Sequence, residues 1–135
     1  MPPVHRILII DDEEPILFAM REYFEQTGYR VDCTSEAEEA EALLAHVRYD
    51  AVIADLRLTG IFRAEGLGII ASVRERCPWV RTVLLTAYGS PEIEIEARRL
   101  GVDAFLHKPK PLRELAEVVA GLLGAGSTGS EGGIV

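Results

Sequence analysis

Residues 51–55 read Ala51-Val52-Ile53-Ala54-Asp55, four small or branched apolar residues that run straight into a carboxylate. A strand covered by helices on both faces is apolar throughout rather than alternating, and open α/β sheets gather their chemistry beyond the carboxyl ends of such strands. Asp55 therefore reads as an acid delivered to the mouth of a parallel sheet, with the loop Leu56-Arg57-Leu58-Thr59-Gly60 after it. Alone, the same Asp fits a residue that opens a turn or caps a backbone N–H. Three further stretches decide between these readings. His5 to Ile10 ends at Asp11-Asp12, Arg81 to Leu85 ends at Thr86, and Ala104 to His107 ends at Lys108. Several strand ends that carry chemistry on one edge of one sheet make a site.

Between these runs the apolar spacing changes to that of helices. After the first strand, Pro15 suits a first helical turn, and Ile16, Met20, Tyr23 and Thr27 form a stripe with Leu17 and Phe24 beside it, up to a glycine exit at Gly28. Tyr29 to Thr34 is a second strand, less apolar and so nearer the sheet edge. Ser35 and Glu38 have capping-box spacing ahead of a stripe of Ala37, Ala40, Leu44 and Val47. Asp50 to Ala54 is the third strand, and Leu67, Ile70 and Val73 face inward on a helix that stops before Pro78. Ser90 and Pro91 start a helix with Ile93, Ala97 and Leu100 inward; Ile95 falls about 200° round from Ile93 at about 100° per residue. The last helix starts near Pro111 and buries Leu112, Leu115, Val119 and Leu122. From Gly124 the chain has no apolar period and reads as a flexible Gly/Ser-rich tail or linker, residues 124–135. Five strand–helix alternations with short, right-handed connections predict one α/β domain over residues 4–123, a doubly wound five-stranded parallel sheet.

At 135 residues there is room for one domain, and 48% apolar with 27% charged residues fits a globular chain with a real core. A net charge of -8 argues against nucleic acid as the main partner, because binding there rests on Lys and Arg meeting phosphates. It favours a basic protein surface or a metal ion. Cys33 and Cys77 make no disulfide framework and read as small core residues in a reducing cytoplasm. No stretch approaches the roughly 20 apolar residues of a membrane span. His5, His46 and His107 are scattered and propose no metal cage.

Three carboxylates from neighbouring strands repel one another in a partly dry crevice unless a cation offsets them. With oxygen ligands only and no His or Cys nearby, that cation is a hard one, and a site with few protein ligands and retained waters suits magnesium better than calcium.

Asp11-Asp12, Asp55, Thr86-Ala87 and Lys108-Pro109, in this order and at these strand ends, resemble the response-regulator receiver domain, the CheY-like family of two-component signalling. The resemblance covers residues 5 to about 123 and implies strand order 2-1-3-4-5. It implies that Asp55 is the phosphoacceptor, taking a phosphoryl group from a histidine kinase or histidine phosphotransfer protein, and that Asp12 and Asp55 ligate Mg2+ (or Mn2+) directly. Asp11 would hold the metal through water and the Arg57 backbone carbonyl would complete the set. Lys108 and Thr86 would take phosphoryl oxygens. Thr86 and Phe105 would form the switch that changes the surface of the fourth helix, fifth strand and fifth helix for a downstream effector; Phe105, unlike Tyr, couples through packing alone. Arg57 and Tyr88, two residues after Asp55 and Thr86, would slow removal of the phosphate by water. Such a domain is no conventional enzyme, since it catalyses only its own phosphorylation and slow dephosphorylation. Whether phosphorylation makes a homodimer stays open.

Two departures from the family pattern border the site. Thr59 stands where the family has Pro, and the Asp55–Gly66 segment is about three residues longer than usual, with Phe62-Arg63-Ala64 the excess. Two other readings share parts of the pattern. A magnesium-dependent phosphatase with an aspartyl-phosphate intermediate needs an acid two residues after its nucleophile, where this chain has Arg57. A degenerate receiver acting only as an interaction module would not need every motif residue that this chain retains.

Overall fold

The computed structural model describes residues 4–56, 65–124 and 131–135. Strand β1 (Arg6–Ile10) leads to helix α1 (Glu14–Gln26), β2 (Arg30–Thr34) to α2 (Ala37–His46), and β3 (Ala51–Ala54) to α3 (Glu65–Arg76). Then come β4 (Arg81–Thr86), α4 (Pro91–Arg99), β5 (Ala104–His107) and α5 (Leu112–Leu123). The strands are parallel, in the order β2-β1-β3-β4-β5, as expected. The less apolar β2 lies at an edge.

Alternation along the strands splits the interior into two cores. Ile7, Ile9, Ala51, Ile53, Val83 and Leu85 face α1 and α5, where Leu17, Met20, Phe24, Leu115 and Val119 meet them. Leu8, Ile10, Val52, Ala54 and Leu84 face the other way, against Ala40, Leu44, Ile69, Ile70, Val73 and Ala97 of α2, α3 and α4. Each Val, Leu, Ile, Phe or Met side chain taken fully out of water in these layers contributes about 1.5–3 kcal/mol relative to exposure. That double cover is why the strands read as unbroken apolar runs.

Local signals held in part. The Ser90 hydroxyl accepts from the Ile93 N–H (3.3 Å), and Gly28 takes φ 102° just past α1. The capping box at Ser35 does not form: Glu36 is the N-cap of α2 without a side-chain bond, and the Thr34 hydroxyl accepts from the Glu36 N–H instead (3.2 Å). On α3, Ile69 joins Ile70 and Val73 in the core while Leu67 is only partly buried. Of the stretch expected to be flexible after Gly124, residues 125–130 lie outside the described residues. Residues 131–135 return to the body of the domain, held by three backbone hydrogen bonds to Lys110 and Leu112. Cys33 and Cys77 are free and partly buried.

Candidate functional site

Register places the acids. Beyond the strand ends the hydrogen-bond ladders continue for one more step: the Asp11 N–H donates to the Thr34 carbonyl (3.1 Å) and the Asp55 N–H to the Ile10 carbonyl (2.9 Å). The Lys108 N–H donates to the Thr86 carbonyl (2.9 Å). Asp11 and Asp55 thus stand side by side where β1 and β3 meet, the point at which the sheet winding reverses.

The Lys108 side chain crosses from β5 to both of them. Its Nζ lies 2.6 Å from Asp11 Oδ2 and 3.1 Å from Asp55 Oδ2, with Glu13 Oε2 farther off at 3.6 Å. All three principals are buried, the Lys108 side chain being 8% exposed. Asp11 Oδ1 accepts from the Glu13 N–H (2.9 Å) and Asp55 Oδ1 from the Leu56 N–H (2.6 Å), so both carboxylates are oriented from behind. Asp12 sits on the solvent side. Oxygens of Asp11, Asp12 and Asp55 lie within 4.8 Å of one another.

Three carboxylates against one ammonium leave the cluster with two uncompensated negative charges. Burial pushes the Asp11 carboxyl above its ordinary range, more than the Lys108 and Glu13 hydrogen bonds pull it down. Asp12 is raised as well, by partial burial of its carboxyl and by the Asp55 charge beside it. Burial works to lower the Lys108 ammonium, yet the hydrogen bond and charge of Asp11, with Asp55 behind it, hold it above its usual value. A hard dication fits this donor set: it would match the missing charge, and all the donors brought within 4.8 Å of one another are carboxylate oxygens.

Thr86 ends β4, fully buried, and its hydroxyl accepts from the Tyr88 N–H (3.1 Å), which ties it to the β4–α4 turn. Tyr88 is half exposed. Phe105 is buried in the core under α4, edge-on to His107 with ring centroids 5.3 Å apart. Ile95 is 70% exposed on the outer side of α4. The structure therefore brings Asp11, Asp12, Asp55 and Lys108 together; Arg57 lies outside the described residues. Two contributors went unnoticed in the sequence. Glu13, two residues past Asp11, lies within ion-pair reach of Lys108. Gly66, in the first turn of α3, donates its N–H to the Leu56 carbonyl, and a Cβ there would run into the Asp55 carbonyl oxygen. A glycine inside a helical pattern is a signal of such close backbone approach.

A family model for the response regulator receiver domain matches residues 7–120. The chain belongs to that family. Over 104 residues this receiver domain is 38% identical to the alginate biosynthesis transcriptional regulatory protein AlgB of Pseudomonas aeruginosa, a span of 77% of this chain and 22% of AlgB. It is 31% identical over 119 residues to the regulatory protein AtoC of Escherichia coli, covering 88% of this chain and 25% of that one. The chain thus spans about a quarter of these relatives. Among solved structures it resembles a CheY-like receiver domain protein from Methanospirillum hungatei, with TM-score 0.85 and 27% identity over 90% of this chain and 95% of the other. It also resembles a response regulator from Burkholderia pseudomallei determined with a phosphorylated aspartic acid, calcium ion and citrate, with TM-score 0.78 and 28% identity over 87% and 66% of the two chains. The receiver domain is the signal-receiving part of two-component response regulators, and this chain has that fold and motif set. None of its described helices is long and apolar enough to cross a membrane.

Proposed function

We propose that Asp55 accepts a phosphoryl group from a histidine kinase or histidine phosphotransfer protein. The observation that carries this reading is the Lys108 ammonium shared between Asp11 and Asp55 in a cluster two negative charges in excess. The phosphorylated aspartic acid named for the Burkholderia structure supports it. An Asp55 carboxylate oxygen attacks phosphorus, the new O–P bond makes an acyl phosphate, and the donor's N–P bond breaks to release the imidazole.

Asp12 and Asp55 would hold Mg2+ or Mn2+ directly, with Asp11 through water and the Arg57 carbonyl as the remaining protein ligand. When bound, the metal supplies charge neutralisation for the carboxylates and the phosphoryl oxygens. Lys108 stays against the transferred group as the counter-charge for a second oxygen, and positioning of this kind is most of what phosphoryl transfer asks of a protein. The Thr86 hydroxyl can turn from the Tyr88 N–H and donate to a third.

The modified site acts as a switch. Two charge-assisted hydrogen bonds formed in one conformation only contribute about 3 to 6 kcal/mol. Moving an equilibrium from 1:99 to 99:1 takes about 5.5 kcal/mol. The output surface is α4, β5 and α5, with Phe105 responding beneath it and Ile95 presented on it to an effector. Tyr88, half exposed beside the site, shields the phosphate from water; a shorter phosphoprotein half-life in Tyr88→Ala checks that role, and an unaltered one removes it.

Incubation with acetyl phosphate and Mg2+, followed by mass spectrometry, tests the main reading. One phosphoryl is expected on Asp55, labile to hydroxylamine and absent from Asp55→Asn. Labelling elsewhere, or none at any donor concentration, ends it.

A further inference from the structure

Gly133, Ile134 and Val135 run antiparallel to the loop that joins β5 to α5. The Lys110 N–H donates to the Val135 carbonyl (2.6 Å), the Val135 N–H to the Lys110 carbonyl (2.8 Å), and the Leu112 N–H to the Gly133 carbonyl (2.7 Å). Leu112 is the first residue of α5, whose N-cap, Pro111, offers no side-chain acceptor. The first N–H groups of a helix have no partner within it. Gly133 supplies one from 21 positions away along the chain.

The side chains alternate as in a strand. Val135 is 7% exposed and joins the apolar cluster of Leu17, Met20, Tyr23 and Leu112 between α1 and α5, whereas Ile134 beside it is 67% exposed. Gly132 and Gly133 take φ of 72° and 99°, and a Cβ on Gly132 would collide with the Tyr23 ring. Two glycines, one outward residue and then an inward aliphatic one are thus what this groove accepts: close backbone approach over Tyr23, then one apolar plug. Recognition rests on main-chain pairing, with a pocket for alternate side chains, as in strand addition.

The pairing reaches the phosphorylation site through the backbone. Lys110 is held on both its N–H and its carbonyl, and Lys108, two residues back across a cis Lys108-Pro109 bond, carries the ammonium that joins Asp11 to Asp55. We propose that the α1–α5 groove is a binding site for an extended Gly-Gly-X-aliphatic segment, X being any outward residue, occupied in cis by residues 131–135, and that its occupancy positions Lys108 for phosphoryl transfer. The last clause rests on the phosphoacceptor reading of Asp55; the site itself does not.

In the full chain, Gly132→Val and Val135→Asp release the segment, and Ile134→Asp, at the exposed position, is the control. Amide hydrogen exchange reads occupancy. Release speeds exchange at Lys110 and Leu112 roughly tenfold or more, as a locally opened amide requires, while Ile134→Asp leaves it unaltered. The initial rate of acetyl phosphate labelling with Mg2+ reads the consequence. A displacement of about 1 Å can cost a hundredfold in rate, so a loosened loop is expected to slow labelling about threefold to tenfold. Unchanged Leu112 exchange in both release variants overturns the site, and protection that grows with protein concentration overturns occupancy in cis in favour of a second copy. Faster exchange with unchanged labelling overturns the link to Lys108. If the parent chain takes no label, the phosphoacceptor reading fails, and the exchange data still decide the groove.

Discussion

Toward the amino ends of the strands the carboxylates are matched by donors, whereas at the carboxyl ends three of them share one lysine. Asp103 accepts from the Thr82 N–H (2.8 Å) and hydroxyl (3.3 Å) and pairs with Arg74 (3.3 Å) and Arg81 (3.5 Å). Asp50 accepts from the Arg6 N–H (2.8 Å), and Asp32 takes the Tyr49 hydroxyl (2.6 Å) and the Arg6 guanidinium (3.5 Å). One edge uses Asp to tie loops to strands. The other leaves charge uncompensated in a buried place, which costs stability unless a ligand supplies the balance. Surplus charge, rather than the presence of acids, separates the working edge from the structural one.

Removing the shared cation should break that contrast most sharply. Lys108→Met leaves Asp11 and Asp55 buried without an ammonium, and a lost transition-state contact of this kind slows transfer about 10²–10³-fold. The same change destabilises the metal-free domain by about 3 kcal/mol. Urea unfolding with and without Mg2+ checks this: the cation should recover more stability in the variant than in the parent.

At the matched edge the consequence inverts. Asp103→Ala strands the buried Thr82 N–H and takes one partner from each of Arg74 and Arg81, so it should cost about 2–3 kcal/mol in urea unfolding. Acetyl phosphate labelling should stay within about twofold of the parent, since the site is at the other end of the sheet. A large loss of labelling in Asp103→Ala would erase the distinction between the edges.

Tyr49 gives the smallest and most selective effect. Burial, together with the hydrogen bond to Asp32 and its negative charge, holds the Tyr49 phenol far above its ordinary value. Because the folded pKa is raised, the stability it contributes is complete below the unfolded value of about 10 and is lost as pH rises through the folded one. Tyr49→Phe should cost about 1 kcal/mol at neutral pH. It should also remove the alkaline part of the decline, which thermal unfolding between pH 9 and pH 12 would show.

Much of this was legible in the residue order. The five apolar runs, the residues that end them, Pro15 and Pro91 in first turns, and the Ser90 cap follow from local spacing, and β5 has the bounds expected of it. Ser35 is not the cap because α2 starts one residue later, at Ala37, which leaves Glu36 in the N-cap position. Glu13 and Gly66 went unread for a common reason: what each meets, Lys108 or the Asp55 carbonyl, is a matter of approach in space. The stretch after Gly124 lacks any apolar period, which is why its last residues gave no hint of docking. Their bonds are made by backbone atoms, to which side-chain patterns are blind.

The sequence by itself determined that this chain is a parallel α/β domain with acids, a threonine and a lysine at the strand ends, because burial period and strand length are written in neighbouring residues. Only the tertiary structure decided that Lys108 reaches across 53 residues of chain to Asp55 and 97 to Asp11, and that Gly133 finishes the start of α5. Such meetings depend on how parallel strands are registered and in which order they lie. Hydrogen-bond ladders and packed faces set both, and neither is fixed by any local run of side chains.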